Sequence, residues 1–187
     1  MAQLQEVKEQ HPEILELDKP IIEAVSDQEL ENKYHLVRMK PCSVDRIASI
    51  LQDAGYKAKI EGKDNRRYIM SGAEGWNFKI TFYDDAPSGS ESNHTSFQFS
   101  SGWTIQPDDH VKISEAANAF NRQYRYAKAF LGGEEGYVYT ELEMSHYCFD
   151  GVSDEAFISF LDLFLGLRRW YVDLCKSTRS ENLTSEG

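Results

Sequence analysis

Apolar residues recur at two different spacings along the first half of the body of this chain. Between Ser43 and Gly55 they follow a helical period, and these two residues are typical of an N-cap and of the stop that follows a helix. After Gly55 the period falls to two, most clearly in the segment WNFKITFY at 76–83. Strict alternation is typical of a strand with one buried face and one wetter face. The pattern therefore predicts a helix followed by strands of an antiparallel sheet.

The second half of the body repeats this change of period. A second helix, capped by Ser114, is predicted to end near Tyr126, and the alternating segments AKAFL and YVYTELEMS follow it. A last helix is predicted over 154–175, with Ser153 as its N-cap. A further strand precedes the second helix, after the polar loop DDAPSGSESNH, which we expect to be a flexible hairpin connection. The order α-β-β-β(-β)-α-β-β-α predicts an α+β fold, with an antiparallel sheet and helices packed on one side.

Composition divides the chain into three parts. Residues 1–33 carry nine acidic residues against three basic ones and form an acidic N-terminal extension. Residues 34–176 form the α+β domain, and the polar tail at 177–187 is predicted to be disordered.

Charge and cysteine content limit the function classes. The chain has 31 acidic and 20 basic residues, and its net charge of −11 repels phosphate backbones and anionic lipid. No secretory signal and no apolar run long enough for a membrane span occur, and the three cysteines are dispersed. We therefore expect a cytoplasmic protein that binds neither nucleic acid nor membranes.

The last predicted helix carries more apolar residues than one sheet can cover. At 100° per residue its apolar members fill an arc of about 240°, interrupted only by Arg168. A helix that lies on one sheet needs a stripe of roughly 100°. The first helix, the N-terminal extension or a second protein surface must cover the excess. We expect the last of these, a homodimer or partner interface, with Leu163, Leu167 and Trp170 as its candidate residues.

Residues that carry chemistry form no recognised motif. His146 and Cys148 share one face of a predicted strand, where they favour either a thiol site or packing at the strand end. A metal site would need a third and a fourth ligand at recognisable spacing, and none follows. No phosphate-binding or dinucleotide-binding glycine motif occurs. We predict no catalytic residue, no metal and no cofactor.

The stretch AANAFNRQYRYAKAF places polar residues on the second helix. An Asn near a helix end can bond both the N–H and the C=O of a neighbouring strand. We therefore predict that Asn118 and Asn121 tie the helix to the sheet, with ligand recognition as the alternative. Arg122, Arg125 and Lys128 follow at i, i+3 and i+6 and form either a surface for an acidic partner or a solvated face.

Several of these segments resemble the YbjN family of bacterial proteins over about residues 36–175. The matching features are Phe120 followed by Asn121, the strand start from Tyr126 to Lys128, and the Gly-Val-Ser sequence at 151–153 before the last helix. The resemblance implies a fold like that of type III secretion chaperones, often paired into dimers. It also implies the description of sensory transduction regulator, with no catalytic residues.

These observations together predict a non-catalytic protein-binding module with a regulatory or chaperone-like role. The wetter face of the sheet and the last helix are the expected binding surfaces. One alternative is a small-molecule sensor with a pocket between Asn121 and the sheet. The other is a thiol-dependent enzyme that uses Cys148.

Overall fold

The structure is a computed structural model and describes residues 39–63, 66–85, 93–134 and 137–180. Its elements follow the predicted order, and the fourth strand is present. In chain order they are α1 (Val44–Asp53), β1 (Ala58–Glu61), β2 (Tyr68–Ala73), β3 (Trp76–Asp85), β4 (His94–Ile105), a 3-10 turn (Pro107–Asp109), α2 (His110–Gln123), β5 (Lys128–Glu134), β6 (Tyr137–Tyr147) and α3 (Asp154–Ser180). Both the acidic extension at 1–33 and most of the predicted hairpin loop before β4 lie outside the described residues.

All six strands form one antiparallel sheet in the order β1-β2-β3-β4-β6-β5. The chain leaves β4 through α2, forms the edge strand β5, and returns as β6 between β4 and β5. β4 therefore lies inside the sheet, paired with β3 on one side and with β6 along ten positions on the other. The predicted α+β fold class is confirmed.

The core lies on one face of this sheet. Phe97 and Phe99 of β4 pack against Phe157 and Phe164 of α3, with ring centroids 5.3 to 5.7 Å apart. All four rings are fully buried. Burying each such ring stabilises the fold by about 1.5–3 kcal/mol relative to exposure. This cluster fixes α3 along the middle of the sheet.

The start of α1 is joined to the start of α3. Ser43 caps α1 by accepting a hydrogen bond from the backbone N–H of Arg46, and Gly55 follows the helix with a φ of 87°, as the sequence predicts. The Arg46 guanidinium donates to the carbonyl of Val152 at 2.8 Å and forms an ion pair with Asp154. Because Asp154 lies in the first turn of α3, the Arg46 side chain joins the N-terminus of α1 to the N-terminus of α3.

The bounds of α2 differ from the prediction at both ends. Pro107 starts a 3-10 turn that leads into the helix at His110, so Ser114 lies inside α2 and is not its N-cap. The helix ends at Gln123, where the extended conformation of Tyr124 breaks it.

Because α2 ends at Gln123, the basic residues Arg122, Arg125 and Lys128 do not all lie on one helix. Their spacing of i, i+3 and i+6 describes one face only if the helix continues, whereas Lys128 is the first residue of β5. All three residues are exposed. The three residues therefore belong to different elements, and both interpretations, a surface for an acidic partner and a solvated face, stay predictions.

The last helix is covered by an element that the sequence analysis did not consider. α2 packs along α3, with Phe120 against Tyr171 at 5.3 Å and Tyr124 against Trp170 at 5.9 Å between ring centroids. Trp170 is 62% exposed. This cover from within the chain leaves a smaller part of α3 for a second subunit.

The exposure of three further residues of α3 shows which part of the helix surface a partner could contact. Leu167 is buried, so it cannot take part in an interface in the way the sequence analysis proposed, whereas Leu163 is 39% exposed. Arg168, which interrupts the apolar arc, is only 1% exposed and donates to the backbone carbonyl of Ala73 at 3.0 Å. The helix continues to Ser180, through four residues assigned to the disordered tail.

Candidate interaction surfaces

The face of the sheet opposite the core carries small residues along β4, with larger side chains of β3 and β6 beside them. Ser96, Ser100 and Gly102 share this side of the strand with Gln98. In register, Tyr83 of β3 and Tyr147 of β6 flank Ser96. No helix of the described residues packs on this side, because the core residues of α1, α2 and α3 all join the cluster on the other face. We call this surface the β4 trough.

Polar side chains cross the β4 trough in a hydrogen-bonded row. The Tyr83 hydroxyl donates to Gln98 Oε1 at 2.9 Å, and Gln98 Nε2 donates to Ser145 Oγ at 3.1 Å. This row joins β3, β4 and β6 and fixes the side chains that it includes. Two residues beyond Gln98 on β4, Lys79 and Glu143 flank Ser100.

The acidic wall of the trough is partly desolvated. Burial raises the pKa of the Glu143 carboxyl, and the neighbouring charge of Glu141 raises it further, against a smaller opposing effect of Lys79. A cation placed here by a partner would stabilise the ionised carboxylate and offset the repulsion from Glu141, so this position suits a positively charged group.

A concave surface lies between α2 and α3. Phe120, Tyr124, Trp170 and Leu174 give it apolar walls, and its volume is about 630 Å³. Gly166 forms part of its lining, and a Cβ built there meets nothing within 4 Å. A helical Gly costs about 1 kcal/mol relative to Ala, and neither close packing nor a positive φ requires it here. We call this surface the α2–α3 groove; its volume falls in the range of small-molecule sites.

The two asparagines of α2 have different surroundings. Asn121 Nδ2 donates to the carbonyl oxygen of Ala129 at 2.7 Å, and the N–H of Ala129 donates to Asn121 Oδ1 at 2.8 Å. This is the two-bond geometry expected for an amide that joins the helix to the sheet, whereas Asn118 is exposed. The amide of Asn121 is thus occupied by β5, and the concave surface nearby is the α2–α3 groove rather than a pocket between Asn121 and the sheet.

The surroundings of the predicted thiol site are apolar. His146 packs against Phe160 with ring centroids 3.6 Å apart, and burial lowers its pKa. The thiol of Cys148 donates to the carbonyl of His94 at 3.7 Å and hydrogen-bonds to the thiol of Cys42. The sequence analysis missed Cys42 because it lies more than a hundred residues away along the chain, and no local spacing indicates such a pair.

Within the described residues, no group of three or more His, Cys, Asp or Glu side chains is arranged to hold a metal ion. Of the helices in the described ranges, none combines the length and the apolar character needed to cross a membrane.

Comparison with known proteins places this geometry in context. The model of the YbjN family, described as "Putative bacterial sensory transduction regulator", matches residues 43–174. Among solved structures the chain is similar to "YbjN, a putative transcription regulator from E. coli", with 15% identity, 77% of this chain and 97% of that chain covered, and a TM-score of 0.57. An uncharacterized protein from Methanothermobacter thermautotrophicus matches at 14% identity over 71% and 96% of the two chains, with a TM-score of 0.47. No curated protein matches the chain. At 15% identity the E. coli structure shows a shared fold and nothing more.

Proposed function

Because this chain belongs to the YbjN family, we propose that it is a non-catalytic, cytoplasmic protein-binding module with a regulatory or chaperone-like role. The observation that supports this proposal is the β4 trough, on the face of the sheet that no helix of the described residues covers. Regulation acts through contacts with polypeptides rather than with DNA, because a net charge of −11 opposes binding to phosphate backbones.

The dimensions and chemistry of the trough suit an extended segment of another protein. The trough runs from Ser96 to Gly102, so at about 3.3 Å per residue it is roughly 23 Å long. Tyr83 and Tyr147 at one end combine an apolar ring with a polar tip, as is typical of residues at protein interfaces. Glu143 further along favours a basic residue in the partner segment.

The test is capture of partners from the native cell extract with matched variants. Tyr147 is 81% exposed and belongs to the trough, whereas Tyr126 is 73% exposed and lies between α2 and β5. Wild type and Tyr126→Ala are expected to retain a shared set of proteins that Tyr147→Ala loses. Identical sets of proteins for all three baits, identified by mass spectrometry, would contradict the assignment of the trough.

We also propose a homodimer in which the exposed side chains Leu163 and Trp170 of α3 contact a second copy. Light scattering at high micromolar concentration should then give twice the mass of one chain. Trp170→Glu should reduce that mass to the monomer, and Lys112→Glu, a charge change on α2, should not. A monomer for the wild type at these concentrations would exclude self-association through α3.

A second candidate function is the sensing of a small molecule in the α2–α3 groove. The open space beside Gly166 favours it, because a side chain there would fill a groove that is otherwise lined by aromatic rings. A thermal-shift screen of aromatic compounds should find ligands that raise the Tm of wild type but not of Gly166→Leu. Equal shifts in both proteins would place the ligand elsewhere.

A further inference from the structure

Two cysteines that are distant in sequence meet at the start of β4. The N–H of His94 donates to the carbonyl of Cys42 at 3.2 Å, and the thiol of Cys148 donates to the carbonyl of His94 at 3.7 Å. The N–H and the C=O of one residue in an extended strand point to the same side. The Cys42 carbonyl and the Cys148 thiol therefore lie on the same side of His94, and the two thiols hydrogen-bond to each other.

The backbone holds both cysteines in place. The carbonyl of Cys42 also accepts the N–H of Asn93 at 3.1 Å, and the N–H of Cys148 donates to the carbonyl of Thr95 at 2.8 Å. Both residues are thus anchored to the same short stretch of chain at 93–95. A disulfide requires its two Cα atoms to lie within a narrow range of separation, and the Cys148 side chain reaches His94, the residue whose N–H also binds Cys42.

We propose that Cys42 and Cys148 form a reversible intramolecular disulfide when the protein encounters a peroxide. The Cys148 thiolate attacks one peroxide oxygen, the O–O bond breaks, and Cys148 becomes a sulfenic acid while hydroxide leaves and takes up a proton. The Cys42 sulfur then attacks the sulfenic sulfur and expels a second hydroxide, which leaves as water with the Cys42 proton. In total, two thiols and one hydrogen peroxide give one disulfide and two waters. This site does not depend on the function proposed above.

The hydrogen bond between the thiols decides which one reacts first. Because the Cys42 thiol donates to the Cys148 sulfur, it lowers the pKa of Cys148, while the same bond and burial raise the pKa of Cys42. Cys148 is therefore the nucleophile and Cys42 the resolving thiol. Both side chains are buried, so the reaction proceeds through local opening of the fold and is slower than that of an exposed thiol.

Cys175 supplies the matched control within the same chain. It is also buried, but it lies in α3, where Tyr171 is its neighbour. If burial alone governed oxidation, Cys175 would react as Cys148 does. If the paired geometry governs it, Cys175 stays reduced while the other two form a bond.

The experiment treats the full-length reduced protein with hydrogen peroxide, alkylates the remaining thiols and maps the peptides by mass spectrometry. Wild type and Cys175→Ser are expected to lose two free thiols, to yield one cross-linked peptide that joins residues 42 and 148, and to regain both thiols with dithiothreitol. Oxidation should raise the Tm of both proteins by about 5 °C or more, because the bond closes a long loop of the unfolded chain. Cys42→Ala and Cys148→Ala should show neither change.

Mapping of the wild type alone can overturn the proposal, whatever the folding of the variants. Three alkylated thiols after oxidation would do so, and so would a cross-link that includes Cys175. Oxidation of Cys148 to the sulfinic acid without any cross-link would also do so, since it would show that Cys42 does not resolve the intermediate.

Discussion

Replacing Asn121 by Ala tests how α2 is held against the edge of the sheet. In the native protein the side-chain amide of Asn121 pairs with both backbone groups of Ala129, as a neighbouring strand would. The substitution deletes two hydrogen bonds at once and leaves an N–H and a C=O of the edge strand β5 without this partner. Ala129 itself is buried, so water reaches these groups poorly.

The expected loss of stability follows from these bonds. Each lost hydrogen bond costs about 0.5–1.5 kcal/mol, and groups left unsatisfied in a buried position cost more. Asn121 is exposed, which lets water replace part of the lost bonding. Ala is a better helix former than Asn by about 0.5 kcal/mol, which offsets part of the cost. We expect the free energy of unfolding to fall by about 1.5–2.5 kcal/mol and the Tm by roughly 4–8 °C.

Urea unfolding followed by circular dichroism measures this change, and Asn118→Ala is its control. Asn118 lies one turn earlier on the same helix and is exposed, so its replacement brings the same gain in helix propensity without a lost bond. Asn121→Asp keeps an acceptor for the Ala129 N–H but faces the Ala129 carbonyl with a charge, so it should destabilise as well. Equal stability of Asn121→Ala and Asn118→Ala would refute the reasoning.

Three further predictions concern Tyr171, Arg168 and His146. Tyr171→Phe removes the hydrogen bond between the Tyr171 hydroxyl and Thr140, which should lower the free energy of unfolding in urea by about 1 kcal/mol. Glu74→Gln removes the carboxylate that faces the buried Arg168 guanidinium, so it should lower the free energy of unfolding. Arg168→Leu should lower it less, because one guanidinium nitrogen of Arg168 already lacks a hydrogen-bond partner among the described residues. Burial lowers the pKa of His146 in the folded protein below its unfolded value of about 6.5. The contribution of neutral His146 to the free energy of unfolding is therefore fully present above about pH 6.5 and should fall as the pH drops below that value. The urea midpoint of wild type should fall more between about pH 7.5 and 5.5 than that of His146→Phe.

Each of these has an outcome that contradicts it. Unchanged unfolding of Tyr171→Phe would mean that water or another group satisfies Thr140. A greater loss for Arg168→Leu than for Glu74→Gln would mean that the arginine stabilises the fold by more than its burial costs. The same pH dependence with and without His146 would assign the acid sensitivity to other groups.

Local signals in the sequence predicted the elements well because local chemistry decides them. Ser43 and Gly55 mark α1 through a side-chain cap and a positive φ, both of which depend only on neighbouring residues. The strict alternation at 76–83 predicted the buried and open faces of β3 for the same reason. The amide geometry of Asn121 also followed from a local rule, since its partner lies only eight residues away.

Contacts between distant segments could not be predicted in this way. A helical projection of α3 gives the width of its apolar arc but not the element that covers it, so the role of α2 was missed. For the same reason Arg168 looked like an interruption, although the length of its side chain lets it reach the carbonyl of Ala73 from a buried position. The approach of Cys42 to Cys148 depends on where residues 93–95 lie, which no spacing in the sequence indicates.

The difference between the two faces of the sheet, one packed against helices and one not packed against any described helix, connects the fold with the proposed function. On one face, α1, α2 and α3 pack against the sheet around a single hydrophobic core, and this packing makes the sheet rigid. On the open face the bonds from Tyr83 to Gln98 and from Gln98 to Ser145 satisfy polar groups internally, which keeps that face stable in water. A partner that binds there displaces water from a preformed surface and pays little conformational entropy on this side of the interface. Binding of this kind can be specific and readily reversible, which is what a regulatory or chaperone-like role requires.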